Sequence, residues 1–189
     1  MYYKKYEGES IYFSPLNEND FAIYTKWLND EKVARGINQA HNIISEYKEK
    51  NWILHAYEKD RYQFAVVDKK TNKAIGIYGL ELKNKISNRY YFVGFIGEKS
   101  YRGHGIGTEA LKLLTKFAFD ILNAHSIYTS VYNFNEASLK SINKAKFTKC
   151  GEYRESIYYN SKYYNEILFE MTRDDYNNLK GEVENNEKY

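Results

Sequence analysis

Apolar positions recur along the chain with two periods, and each change of period marks an element. Glu9 to Phe13 reads as an opening strand. After the turn Pro15-Leu16-Asn17, the residues Phe21, Tyr24 and Leu28 follow at helical spacing, with Asn17 placed to cap them. A second helical stretch runs from about Ser45 to Tyr57, behind a loop from Gly36 to Asn42 that is expected to lie near the substrate. Tyr62 to Asp68, Lys73 to Leu82 and Arg89 to Gly97 read as strands joined by short turns, which predicts an antiparallel meander. Next, Ala110, Leu111, Leu114, Phe117, Ala118, Ile121 and Leu122 share one helical face that should pack on the sheet. Ser126 to Tyr132 reads as a strand, Glu136 to Ala145 as a helix, and Lys149 to Tyr158 with Tyr163 to Met171 as a closing hairpin. The predicted order is βααβββαβαββ. The fold class is α/β (α+β), a mixed, mostly antiparallel twisted sheet flanked by helices.

A chain of 189 residues with a single proline, Pro15, no Ser/Gly-rich linker and no repeat fits one domain. We expect that domain over 1–171 and a polar tail or short helix over 172–189. Met1 to Glu7 lacks the apolar core of a signal peptide, and no run is long enough to span a membrane. Cys150, alone, cannot form an internal disulfide. It is expected as a buried structural thiol in a cytoplasmic protein. The formal charge of +3 is too small to argue for nucleic acid or a membrane surface as partner. The 21 tyrosines and 10 phenylalanines could be read as a stacking surface, but a chain also heavy in Lys, Asn and Ile points to codon bias.

The most informative segment is Tyr101-Arg102-Gly103-His104-Gly105-Ile106-Gly107-Thr108-Glu109-Ala110, between a strand and a helix. Glycines let the backbone approach a ligand, and the first helical turn offers unpaired N–H groups and the positive end of a dipole, an anion cradle suited to pyrophosphate. Gly105 to Ala110 also fits the dinucleotide pattern G-x-G-x-x-G/A, but several residues separate it from its strand and a meander precedes it. No Gly-Lys-Ser/Thr follows, which excludes a Walker loop. A purely structural turn is the remaining reading.

The segment Arg102-Gly103-His104-Gly105-Ile106-Gly107 resembles the Q/R-x-x-G-x-G/A pyrophosphate loop of the GNAT superfamily of N-acetyltransferases. The resemblance extends over Ile11 to Leu28 with Trp27-Leu28-Asn29-Asp30, the meander, Thr108-Glu109-Ala110-Leu111 and Asn135 to Phe147. It is greatest for the branch of ribosomal-protein N-terminal and spermidine acetyltransferases. Lys146 stands where that branch carries a glycine before Phe147.

The resemblance implies acetyl-CoA as co-substrate, no metal, and direct transfer to a primary amine of a small molecule or a peptide N-terminus. It implies that the donor lies where the Arg89 to Gly97 and Ser126 to Tyr132 strands splay apart. The N–H groups around Phe95, Ile96 and Gly97 would bind pantetheine and polarise the thioester. Arg102, Gly103, His104, Gly105, Ile106, Gly107 and Thr108 would hold the pyrophosphate, and Asn135 and Ser138 would contact the pantetheine arm. Asn135 reads equally as an ordinary helix cap, and His104 as an exposed loop residue. Glu81 is the candidate general base, with Glu98 in reserve. The tyrosine that relatives use as acid falls at Ile142, so Ser138 or water would protonate the leaving thiolate. His41 and His55 receive no role. Acceptor choice is assigned to Gly36 to Tyr57 and Tyr153 to Tyr164, and a homodimer is the assembly common among such relatives. The missing tyrosine keeps a non-catalytic CoA-binding module as the alternative, and a dinucleotide-binding oxidoreductase remains as a third reading.

Overall fold

The computed structural model describes residues 1–58 and 60–186. A two-residue strand β1 (Tyr6–Glu7), too short to show alternation, pairs with β2 (Ile11–Ser14). After a 3-10 turn Glu18–Asp20, where Asn17 accepts from the N–H of Asn19, come α1 (Phe21–Leu28), α2 (Glu31–Gly36) and α3 (Glu46–Leu54). The helix α2, absent from the apolar pattern, is set by a polar signal: the Asp30 carboxylate accepts from the N–H groups of Lys32 (2.8 Å) and Val33 (3.3 Å). Strands β3 (Arg61–Asp68), β4 (Ala74–Asn84) and β5 (Arg89–Ile96) form the expected antiparallel meander. Then follow α4 (Ile106–Lys116), β6 (Ser126–Tyr132), α5 (Glu136–Lys144), the hairpin β7 (Thr148–Tyr159) and β8 (Lys162–Thr172), and α6 (Arg173–Asn186). Residues 187–189 of the expected tail lie outside the described residues.

One eight-stranded sheet runs in the order β1-β2-β3-β4-β5-β6-β8-β7, antiparallel throughout except for the parallel β5–β6 pair. Each face carries its own core. On one side α4 and α5 cover Phe13, Val66, Leu80, Phe92 and Ile127; on the other, Tyr24 and Trp27 of α1 and Ile53 of α3 cover Tyr12, Ala65, Val67 and Ile77. Glu109 ties the two ends of the chain order together, its carboxylate accepting from the N–H groups of Ser10 (2.8 Å) and Ile11 (3.2 Å) and from the Ser10 hydroxyl.

Two expectations are corrected. Ile121 is 60% exposed rather than packed, because α4 widens into a π turn over Phe117–Ile121 that takes the next residues out of phase. Cys150 is exposed on the edge strand β7; partial burial and the Glu170 carboxylate push its thiol up, so it stays protonated at neutral pH. Lys146 adopts the left-handed turn usually made by glycine, at φ 65, and Phe147 beyond it is buried as the pattern requires.

Candidate active site

β5 ends at Ile96, a 3-10 turn occupies Lys99–Tyr101, and Gly105 caps α4. Gly103 and Gly105 lie at φ 85 and 83, with nothing within 4 Å of where a Cβ would stand. Their glycines are required by backbone conformation, not by crowding. Gly105 spends its carbonyl on the N–H groups of Thr108 and Glu109, both at 3.0 Å. Among the described residues, the N–H groups of Gly103, His104, Gly105, Ile106 and Gly107 have no acceptor, so five donors face outward around the positive end of α4. His104 is exposed among them. The hydroxyl of the fully buried Tyr78 donates to the carbonyl of Gly107 at 3.2 Å and fixes the first turn from below.

The side chain of Arg102 is turned inward. Its Nε donates to the carbonyl of Ile96 (3.0 Å), one Nη donates to that of Gly97, and the same Nη lies 3.5 Å from the Asp30 carboxylate. Burial pulls the Asp30 carboxyl up, but the Arg102 guanidinium and the N–H groups of Lys32 and Val33 hold it below its ordinary value. Arg102 therefore braces the loop against the end of β5 and the start of α2.

β5 and β6 pair only from Arg89↔Ser126 to Tyr91↔Tyr128; beyond, the strands separate. Gly97 donates to Ile75 at 2.9 Å. In an antiparallel ladder hydrogen-bonded pairs alternate, so Phe95, like Gly97, spends its N–H on β4, while Gly94 and Ile96 turn theirs into the gap. The Thr129 hydroxyl, donating to the carbonyl of Phe92 at 3.0 Å, marks where the gap begins. Of Phe95, Ile96 and Gly97, only Ile96 thus presents an open donor, and Gly94, which the sequence reading passed over, presents a second. Gly97 is needed for a different reason: a Cβ there would fall inside the ring of Trp27.

The registers Arg61↔Glu81↔Tyr91, Gln63↔Gly79↔Val93 and Ala65↔Ile77↔Phe95 place three rows of side chains on the α1–α3 face. Between this face, Trp52 of α3 and Ala56 just beyond it, and Ile37 and Gln39 beyond α2 lies a cavity of about 270 Å³ that reaches Gly94. Glu81 lines it, held between Lys83 (2.8 Å) and Arg61 (3.7 Å). Glu98, the reserve, places its N–H on Ile75 at 3.0 Å. A larger cavity of about 420 Å³, beside Met1, Pro15 and Tyr57, shares no lining residue with the loop or β5.

On the far side of the gap Asn135 caps α5, its amide oxygen accepting from the N–H of Ser138 at 3.3 Å while Gly36 packs beside its amide nitrogen. The capping reading of Asn135 is therefore observed. Ser141, one turn beyond Ser138, stands beside Gly107 and escaped the sequence reading, although its spacing of three from Ser138 was the available signal. Ile142 is 2% exposed in the core. Another missed group is Glu49 of α3, which shares the inward spacing of Trp52, Ile53 and Ala56; it is buried, one carboxylate oxygen has no partner among the described residues, and burial pushes it up to about 7. Among the described residues no three His, Cys, Asp or Glu side chains gather as a metal site, and no helix is long and apolar enough to cross a membrane.

Comparison with known proteins agrees with this geometry. Residues 10–148 match the model of the acetyltransferase (GNAT) domain. An SPbeta prophage-derived uncharacterized N-acetyltransferase of Bacillus subtilis is 27% identical over 89% of this chain and 93% of its own length. The spermidine N(1)-acetyltransferase of Escherichia coli is 30% identical over 85% of this chain and 84% of its own. Among solved structures, the spermidine N-acetyltransferase of Vibrio cholerae in complex with CoA and spermine superposes with a TM-score of 0.79 at 20% identity, covering 88% of this chain and 98% of that one. The chain is an acyltransferase and belongs to the GNAT acetyltransferase family.

Proposed function

We propose that the protein transfers acetyl directly from acetyl-CoA to the primary amine of a small molecule or peptide N-terminus, in the cytosol. The observation that carries this reading is the row of five open N–H groups, Gly103 to Gly107, beside the gap between β5 and β6. These donors meet the pyrophosphate. The Thr108 N–H is spent on Gly105, so Thr108 contributes its hydroxyl; Arg102 shapes the loop rather than gripping the phosphates. The N–H groups of Gly94 and Ile96 bind the pantetheine arm and stabilise negative charge as it develops on the thioester oxygen. The amine enters from the cavity next to Gly94, and Glu81 takes its proton directly or through water. Ser138, or water, returns a proton to the departing thiolate.

An α-amine near pKa 8 costs about 1 kcal/mol to deprotonate at neutral pH, against about 4–5 kcal/mol for an alkylamine near 10.4. A carboxylate held between two cations suits the first task. Calorimetry with acetyl-CoA tests the reading: the wild type binds and Gly105→Asp, which places a carboxylate in the cradle, does not. Equal binding by both proteins refutes it.

A further inference from the structure

Gln63 sits at the floor of the cavity and is 7% exposed, yet its amide has no hydrogen-bond partner among the described residues. It is wedged over Gly79, where any Cβ would overlap the amide itself. The amide opens onto the cavity, where it offers a donor and an acceptor side by side to whatever fills it. Such a group is complementary to a carboxamide, which offers the same pair in reverse. The charges around it narrow the ligand further. The cavity's one carboxylate on the sheet, Glu81, is neutralised by Arg61 and Lys83, so the floor carries no acidic excess to receive a polycation.

Resting on the acetyl-transfer reading above, we propose that Gln63 is a specificity-determining residue that pairs with the carbonyl group beside the reacting amine. The acceptor is therefore an α-aminoacyl compound, an amine one carbon from an amide, and not a polyamine. Gln39 at the cavity rim has its amide oxygen engaged by Asn42, whereas both ends of the Gln63 amide are open to the acceptor.

The test is thiol release from acetyl-CoA with alaninamide, isopropylamine and spermidine, expressed as kcat/KM on the neutral amine so that differences in ionisation drop out. Alaninamide is expected to exceed both others by about tenfold or more, the worth of one good buried hydrogen bond. Gln63→Leu should bring the ratio of alaninamide to isopropylamine down to about one. Should that variant fail to fold, Gln63→Asn, which keeps the amide but withdraws it by one methylene, should narrow the preference. Spermidine matching alaninamide, or a preference that survives the substitutions, overturns the inference and leaves acetyl transfer standing. No thiol release with any of the three amines refutes acetyl transfer itself, and the inference with it.

Discussion

Adding one methyl group at Gly97 tests whether the end of β5 is held by packing. The Cβ of Gly97→Ala would fall inside the indole of Trp27, a ring 2% exposed and packed 5.5 Å from Tyr24, itself fully buried. The backbone cannot easily yield, because Gly97 donates to Ile75 at 2.9 Å, Glu98 donates to the same carbonyl at 3.0 Å, and Arg102 holds the Gly97 carbonyl. Relief must come from Trp27. Overpacking of this kind costs about 1–3 kcal/mol, and with both sides pinned we expect the upper half of that range. For a chain of this length that lowers Tm by about 5–10 °C. Urea unfolding with a paired Trp27→Leu variant isolates the cause. In the double variant the added methyl occupies space the indole has vacated, so the double should be less destabilised than the sum of the singles by at least about 1 kcal/mol. Additive losses, or a Gly97→Ala protein within about 0.5 kcal/mol of the wild type, refute the packing argument.

Three further outcomes follow from the same geometry. Lys146→Gly should stabilise the fold by about 1 kcal/mol in denaturant titration, since it relieves a left-handed conformation that L residues adopt at a cost; a loss of stability would contradict this. Glu49, raised by burial to about 7, binds its proton more tightly in the folded than in the unfolded chain, so its contribution is full below about pH 4.5 and disappears as pH rises through about 7. The stability of the wild type relative to Glu49→Gln should therefore fall across that window by up to about 3 kcal/mol, and a flat difference between pH 5 and 8 would rule it out. Tyr78→Phe removes the hydroxyl under Gly107, and calorimetry should show weaker acetyl-CoA binding beside an unfolding loss of about 1 kcal/mol; unchanged values of both would show that the contact is idle.

What the sequence disclosed tracks the range of the forces concerned. Periodicity reports local burial, so the meander, α4, α5 and the closing hairpin were legible, and Ser126 to Tyr132 was legible to the residue. The cradle was legible because Gly103 and Gly105 are needed for backbone conformation alone. Illegible features depended on pairing partners distant in sequence. The inward turn of Arg102 requires Ile96, Gly97 and Asp30 to be placed first, and the open donors at Gly94 and Ile96 follow from which residue of β4 meets Gly97. The exposure of Ile121 reflects a one-residue change of helical pitch that a 3.6-residue pattern cannot anticipate.

The glycine loop and the cavity share their supports. Arg102 joins the carbonyls of Ile96 and Gly97 to Asp30, and Asp30 is the cap of α2, whose far end packs Gly36 beside Asn135. Arg35 of the same helix lies over Phe134 and Tyr159, while the Tyr159 hydroxyl donates to Glu31, so α2 also clasps the β7–β8 hairpin. A six-residue helix with one good cap has little stability of its own. Its position must come from these flanking contacts. Arg102, Asp30 and α2 thus form one run of contacts from the glycine loop to the residues Ile37 and Gln39 that line the cavity. On the proposed reading any coupling between the two sites is reciprocal, so an acceptor that binds more tightly in the presence of CoA must tighten CoA by the same factor.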